Sequence, residues 1–359
     1  MIADLFTTAS DLRAILDRFP EQRVAVVGDF FLDKYLVIDA ALEEPSLETA
    51  LPAHQVTEIR NSPGAAGTVV NNLVALDAGK VAAFGVIGDD GCGYELRTAL
   101  TQMGVDVASL VSDSRIFTPT YMKPTRRDQS GDETELSRLD VLNRRPVVGL
   151  GAKVATALAE RIADFDAVIV VDQVADSQGG IVDADFRARL ADLGQNHPDV
   201  FLLADSRFSI GGFNKVRLKP NIHEARRALT EAGGTPKGSL RPAGRGDERE
   251  PAALASALAG RADRDVFLTC GAEGIVVASP NGSASLLRGV PVSGPTDPTG
   301  AGDSASAGIT LASAAGADPL QAAAIGCLVA SITVQQLRTT GAASRQQVVE
   351  RFTQLRSIP

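Results

Sequence analysis

The sequence predicts an α/β fold: a doubly wound, mostly parallel sheet with helices on both faces. Three observations point there. Buried-looking apolar runs of strand length recur at 23–29, 81–90, 166–172 and 201–207. Each run ends in glycine or aspartate, as in Gly28-Asp29, Gly88-Asp89, Asp172 and Asp205. Stretches with helical spacing separate the runs, as crossover connections require. Ligands of such sheets sit beyond the carboxyl ends of the strands, so Asp29 and Asp33 are placed to meet one.

The chain of 359 residues could fill one large α/β domain or two smaller ones. The α/β pattern continues on both sides of its least regular stretch, which favours one domain over 1–359. Hydrophobic residues make up 44%, charged residues 22%, and the net charge is -9. That balance argues against nucleic acid or an anionic membrane as partner. A small anionic substrate stays open, because local amides and a few Lys or Arg decide that. Cys92, Cys270 and Cys327 are far apart, as are His54, His197 and His223, so neither set has metal-ligand spacing. No window approaches a membrane span, and no signal pattern opens the chain. A reducing cytoplasm fits these features.

Residues 7–19 read as a short amphipathic helix, before the strand that ends at Gly28-Asp29. A dinucleotide site there fails, since no Gly-x-Gly-x-x-Gly surrounds Gly28. Residues 34–59 are polar, with Pro45 and Pro52, and read as an irregular excursion from the sheet. Ser62-Pro63-Gly64-Ala65-Ala66-Gly67-Thr68 leads into a helix at 69–76, and a second helix is expected at 94–103. Polar alternation at 118–140 suggests two exposed strands joined by the charged segment 126–135. It can be a ligand-facing hairpin or an edge kept soluble by its charges. A helix is expected at 155–165. Another opens at Lys219-Pro220-Asn221, where Asn221 and Glu224 share a face and could form a cap. Residues 233–250 lack periodicity and read as a flexible insertion. Two short strands around a glycine turn follow at 266–277. Helices at 319–337 and 344–355 have small residues suited to a flat pocket or to close packing.

The stretch Gly294-Pro295-Thr296-Asp297-Pro298-Thr299-Gly300-Ala301-Gly302-Asp303 precedes the helix-compatible run 304–315. Glycines at a loop-to-helix junction uncover backbone N–H groups at the positive end of a helix dipole, a setting for phosphate oxygens. Asp303 beside them could take a proton from an attacking hydroxyl. Four such residues alone could equally be a tight turn with a capping aspartate. The full Asp-Pro-Thr-Gly-Ala-Gly-Asp string resembles the signature of the ribokinase-like (PfkB) carbohydrate kinases. The similarity runs from about Arg23 to Gly341 with the motifs in the family's order.

That resemblance implies a ribokinase-like fold with a small β lid from about 34–59 and 118–140. It also implies use of ATP and magnesium, with a monovalent cation as an open addition. Asp303 would be the base, and the amides of Gly300, Ala301 and Gly302 the anion hole. Asn221 and Glu224 would hold the metal through water. Thr269, Gly271, Gly274 and Asp297 would serve the nucleotide. Asp33, Gly64, Ala65, Thr68 and Asp172 would meet the sugar, and Lys123, Arg138 or Arg207 a substrate phosphate. A lid in this family commonly pairs two subunits, so a homodimer is expected.

Ser46-x-Glu48-x-x-Leu51-Pro52, Thr118-Pro119-Thr120-x-x-Lys123 and Arg138-Leu139-Asp140 are similar to one branch, the heptose 7-phosphate kinases. That branch has Pro-Gly-Gly-Ala-Ala-Asn where this chain has Pro63-Gly64-Ala65-Ala66-Gly67-Thr68. Its Asp-Tyr-x-Lys-Gly is replaced by Asp172-Gln173-Val174-Ala175-Asp176, and its Asp-Pro-Lys by Asp205-Ser206-Arg207. The implied activity is phosphoryl transfer to a sugar or sugar phosphate. The alternatives are a non-catalytic sugar or nucleotide sensor, or a kinase of another small alcohol.

Overall fold

The computed structural model describes residues 2–128, 130–231, 249–337 and 340–357. Its main element is a nine-stranded sheet. Arg23–Gly28 lies between Ala167–Asp172 and Lys80–Gly88, and all these pairs are parallel. Asp106–Asp113 extends the sheet on one side. On the other, Phe201–Ser206, Arg217–Leu218 and Val266–Thr269 add on in parallel. The far edge turns antiparallel through Gly274–Ala278 and Ala284–Arg288.

The central strands read as unbroken apolar runs because both their faces are covered. Val24 and Val26 point into one layer with the helices Ala66–Ala75, Ala301–Ala314 and Pro319–Thr333. Ala25 and Val27 point into the other, with Leu150–Arg161, Ala184–Asn196 and Arg249–Ala262. The parallel register brings the carboxyl ends of five strands together, and with them Asp29, Asp172, Asp205, Lys219 and Thr269.

A second, five-stranded sheet stands apart from the first. Its spine, Phe30–Asp39, pairs antiparallel with Val56–Ala65 and parallel with Thr120–Arg127. Glu133–Glu135 and Leu139–Val141 both pair with Thr120–Arg127. The 34–59 segment is therefore far more ordered than expected, since long strands form both its ends. Exposure on much of Val56–Ala65 erases the alternation that would have marked it as a strand. The strands Asp106–Asp113 and Ala284–Arg288 and the helices Ala184–Asn196 and Arg249–Ala262 also went unanticipated. Of the insertion expected at 233–250, Arg249 and Glu250 open a helix, and the rest lies outside the described residues.

The spine's register sets Phe31 opposite Gly64 and Asp33 opposite both Ser62 and Tyr121. A Cβ on Gly64 would come within 2.8 Å of Asp33 Oδ2, so only glycine fits. Ala65 ends the strand with φ 53° and ψ −114°. Such backbone suits glycine, and a side chain there stores strain of order 1–3 kcal/mol. Ala65→Gly should therefore stabilise the protein by about 1 kcal/mol in chemical denaturation, after the entropy cost of the added glycine. A loss of stability would show that the Ala65 backbone is unstrained.

Candidate active site

A cavity of about 710 Å³ opens at the carboxyl ends of the strands. Gly300 enters the helix Ala301–Ala314 with φ +77°, which glycine adopts without penalty. The Ala301 amide donates to Pro298 O (3.1 Å), so it is already engaged. Within this first turn the Gly302 and Asp303 amides have no intrahelical acceptor and face the positive end of the dipole. Of the Gly300, Ala301 and Gly302 amides expected to meet an anion, that of Ala301 is thus turned to Pro298 O, and the Asp303 amide stands open beside that of Gly302. Asp303 lines the same cavity.

Two residues beside this turn were missed in the sequence. Lys219, only 3% exposed, places Nζ 2.9 Å from Asp205 Oδ2. That nitrogen lies 3.6 Å from where a Cβ on Gly302 would sit, so a fixed positive charge adjoins the turn. Ser306, on the same helix as Asp303, donates to Asp205 Oδ2 at 2.8 Å. Lys219 directly precedes Pro220-Asn221, and Asp205 ends a buried run. Those were the available signals.

Asn221 and Glu224 also line the cavity, and each caps the other. The Glu224 amide donates to Asn221 Oδ1 (2.9 Å), and the Asn221 amide donates to Glu224 Oε2 (2.8 Å). This reciprocal pair is the cap weighed above, and Glu224 Oε1 takes no part in it. Among the described residues no three His, Cys, Asp or Glu side chains converge as a metal cage. Magnesium needs none, because it keeps its waters and leans on one or two carboxylates and substrate phosphates. Glu224, with Asn221, fits that role.

Thr269 lies beside Asn221 through a single parallel bridge and lines the cavity with Gly271 and Gly274. A Cβ on Gly274 would fall 2.0 Å from Leu287 O, so the turn is closed tightly against its neighbour strand. Ala305, Cys327, Ala330 and Ser331 give the cavity a wall of small side chains. Gly308 and Gly326 instead bring their helices together, since a Cβ on Gly308 would lie 3.1 Å from Gly326 Cα. Both readings of the small residues hold, at different positions. Asp297 caps its own turn by accepting the Thr299 amide (3.0 Å) and is not part of the cavity wall.

The residues expected at the sugar divide. Asp33, Gly64 and Lys123 come together, with Lys123 Nζ 3.0 Å from Asp33 Oδ1 and 3.2 Å from the Tyr35 hydroxyl. Burial alone would lower the Lys123 pKa, but Asp33 and Tyr35 outweigh it and hold it above the usual value. Arg207 lines the large cavity. Arg138 does not, being paired with Asp140 (2.6 Å) and stacked 4.1 Å over the Tyr121 ring. Thr68 is buried in the first turn of its helix, away from the cavity.

Asp172 corrects the expectation most sharply. It is fully enclosed, accepting from Ser206 Oγ at 2.5 Å, and reaches no cavity. Burial and the neighbouring Asp29 push its pKa up to about 7. Asp29 itself is pushed up to about 6 by burial, partly opposed by the amides of Gln173 and Val174. Asp90 caps the helix Gly91–Gln102, accepting the Gly93 amide (2.7 Å) and the Thr118 amide (2.9 Å).

Known proteins share the motifs of one region and the fold. Residues 217–345 match the model of the pfkB family carbohydrate kinases. The chain is 28% identical over 322 residues to the bifunctional protein HldE of Caulobacter vibrioides, covering 89% of this chain and 62% of that relative. A putative phosphofructokinase from Staphylococcus aureus superposes with a TM-score of 0.67 at 16% identity, over 92% of this chain and 97% of that one. Arabidopsis thaliana ribokinase, complexed with ribose and ATP, gives 0.61 at 16% identity, over 92% and 98%. The resemblance read from the motifs stands over residues 217–345, and the fold is ribokinase-like. Among the described residues no helix is long and apolar enough to cross a membrane.

Burial, then the charge of Asp205, pushes the Asp303 pKa from 3.8 up to about 7, while Lys219 and Arg207 pull it back. The folded chain thus holds this proton more tightly than the unfolded chain. The resulting stability is present below pH 3.8 and is lost as pH rises to about 7. Asparagine has no such dependence. Asp303→Asn should raise the melting temperature relative to the parent at pH 8 and leave a much smaller gain at pH 4. An equal gain at both values would contradict the buried-carboxyl assignment.

Proposed function

We propose that this chain, with its pfkB-type kinase region on a ribokinase-like fold, transfers a phosphoryl group from ATP to a sugar or sugar phosphate hydroxyl. One observation supports the reading most strongly. The Gly300–Asp303 turn, the Asn221/Glu224 pair and the Thr269–Gly274 turn all open on the same cavity of about 710 Å³. Nucleotide and acceptor would meet there, with positioning and charge stabilisation supplying the catalysis.

Asp303 accepts the proton of the attacking hydroxyl, and its raised pKa suits a base working near neutral pH. The free amides at the helix start stabilise negative charge on the phosphoryl oxygens. Lys219 adds a fixed positive charge beside them. Glu224 and Asn221 would hold magnesium, which neutralises nucleotide phosphate charge when bound. Asp33 orients the sugar and exchanges its contact with Lys123 for sugar hydroxyls. The second sheet covers the acceptor. Its exposed Ile59 and Leu139, with Leu42, Leu47 and Leu51 on the connection between two of its strands, would pair with a second copy.

ADP release should be followed with MgATP across pentoses, hexoses, heptoses and their terminal phosphates, heptose 7-phosphate included. Asp303→Asn should be assayed in parallel. The expected outcome is acceptor-dependent turnover that falls by about 1000-fold or more in the variant. Binding of ATP or a sugar with no turnover of any acceptor would replace the kinase with the sensor.

A further inference from the structure

Asp29 and Asp172 follow one another across two neighbouring strands. The parallel register sets Val27 beside Val170 and Gly28 beside Val171, on strands about 4.8 Å apart. The Asp29 amide donates to Val171 O (3.1 Å), which carries the ladder one residue further. Val27 and Val170 pack into the same layer, so two residues on, Asp29 and Asp172 leave the sheet on that face together. Asp205 on the next strand turns the other way, toward Lys219 and Ser306. Both carboxylates are buried, Asp29 with 7% of its surface exposed and Asp172 with none.

Their partners are unequal. Asp29 Oδ2 accepts the Gln173 and Val174 amides at 2.9 Å each, and its Oδ1 accepts the Ile181 amide at 3.4 Å. Asp172 Oδ2 accepts only the Ser206 hydroxyl, whose oxygen in turn accepts the Ser209 amide (2.9 Å). Asp172 Oδ1 is buried with no hydrogen-bond partner. Of the charged groups around them, Asp176 and Arg187 are bound to each other (2.9 Å). Arg144 and Arg207 stand with Asp29 on the wall of a second cavity, of about 170 Å³. Among the described residues no cation lies within 4.0 Å of either carboxylate.

Two buried carboxylates this close, with no cation in contact, do not both ionise cheaply. The three amides favour the charge on Asp29, so the proton falls to Asp172, on the oxygen that receives no donor. Burial lifts both groups above the ordinary carboxylate range, and the Asp29 charge lifts Asp172 further. The amides that Asp29 holds belong to both ends of the 173–181 loop. Gln173 lines the main cavity and the smaller one, and Val174, Gln178, Gly179 and Ile181 line the smaller. A loop that walls the acceptor side is thus fastened to a carboxylate whose neighbour must stay neutral.

We propose that Asp29 and Asp172 are a positioning pair that shares one proton: with it, Asp29 fastens the 173–181 loop and presents Gln173 to the main cavity, and without it two adjacent anions release the loop. The latch stands on these contacts alone, and its effect on an acceptor rests on the kinase reading. Asp303 works without its proton and the pair works with one. Acceptor use is therefore confined to a band of pH around neutrality, with Asp303 setting the acid side and the pair the alkaline side.

Amide hydrogen exchange across 173–181 should be followed by mass spectrometry at pH 6, 7 and 8 on the parent, Asp172→Asn and Ser206→Ala, with rates corrected for their intrinsic dependence on pH. In the parent, the loop should exchange about tenfold faster at pH 8 than at pH 6, while the helix Ala184–Asn196 is unchanged. Asp172→Asn, shaped like the protonated acid and neutral at every pH, should keep the slow rate throughout. Ser206→Ala removes a donor from the Asp172 anion and should move the parent's midpoint to higher pH. With the best acceptor, KM should rise about tenfold from pH 7 to pH 8 in the parent and stay level in Asp172→Asn. A parent loop rate independent of pH, or an Asp172→Asn rate that follows the parent's, overturns the pair. Should Asp172→Asn fail to fold, an unmoved midpoint in Ser206→Ala overturns it instead. A loop that responds while KM stays level overturns the positioning role. If the loop responds and no acceptor is turned over, the latch is upheld and the kinase reading fails.

Discussion

A lysine with 3% of its surface exposed needs an anion at contact distance, and Asp205 supplies it at 2.9 Å. Burial alone would lower the Lys219 pKa, but Asp205, with Glu224 and Asp303, holds it above its usual value. The pair is worth more as a fixture than as net stability, since desolvation consumes much of the attraction. It joins the end of Phe201–Ser206 to the residue that follows Arg217–Leu218, and Ser306 ties both to the helix presenting Asp303. Breaking it from either side would leave a buried charge uncompensated, at a cost of about 3–5 kcal/mol. Asp303, the open amides of its turn and Glu224 all stand around this one contact.

The same contact sets the electrostatics of the site. Asp205 raises the Asp303 pKa, and Lys219 lowers it. With burial as the largest cause, they leave Asp303 near neutrality, where a carboxylate is basic enough to take a hydroxyl proton. At the substrate side, the branch lysine absent from the 172–176 segment has no replacement there, since Asp176 pairs instead with Arg187. Positive charge stands elsewhere, with Lys219 beside the Gly302 turn and Arg207 on the cavity wall.

Much of this was legible in the sequence, for identifiable reasons. Strands buried on both faces, such as Arg23–Gly28, announce themselves as apolar runs, and the catalytic turn is a long contiguous string. What escaped depends on neighbours remote in sequence. Asp172 and Asp205 read alike, as carboxylates ending buried strands. Only the packing separates them: Asp205 opens on the cavity beside Lys219, and Asp172 closes on Ser206. Lys219 looked like the lead-in to Asn221 because no local pattern marks a buried cation. The strand Val56–Ala65 escaped for the opposite reason, since its solvent-exposed face lacks the alternation that signals a strand. Ala65, by contrast, stood out in sequence, and its φ of 53° shows what glycine would have relieved.

The pH dependence of kcat/KM for the best acceptor, measured on the parent, Lys219→Met, Lys219→Arg and Asp303→Asn, tests this account most directly. The parent should lose activity as pH falls through about 7, as Asp303 takes up its proton. Lys219→Met should move that midpoint to higher pH, Lys219→Arg should largely keep it, and Asp303→Asn should abolish the limb with the activity. A midpoint unmoved by Lys219→Met, or an Asp303→Asn protein that keeps the parent's rate and profile, would contradict it.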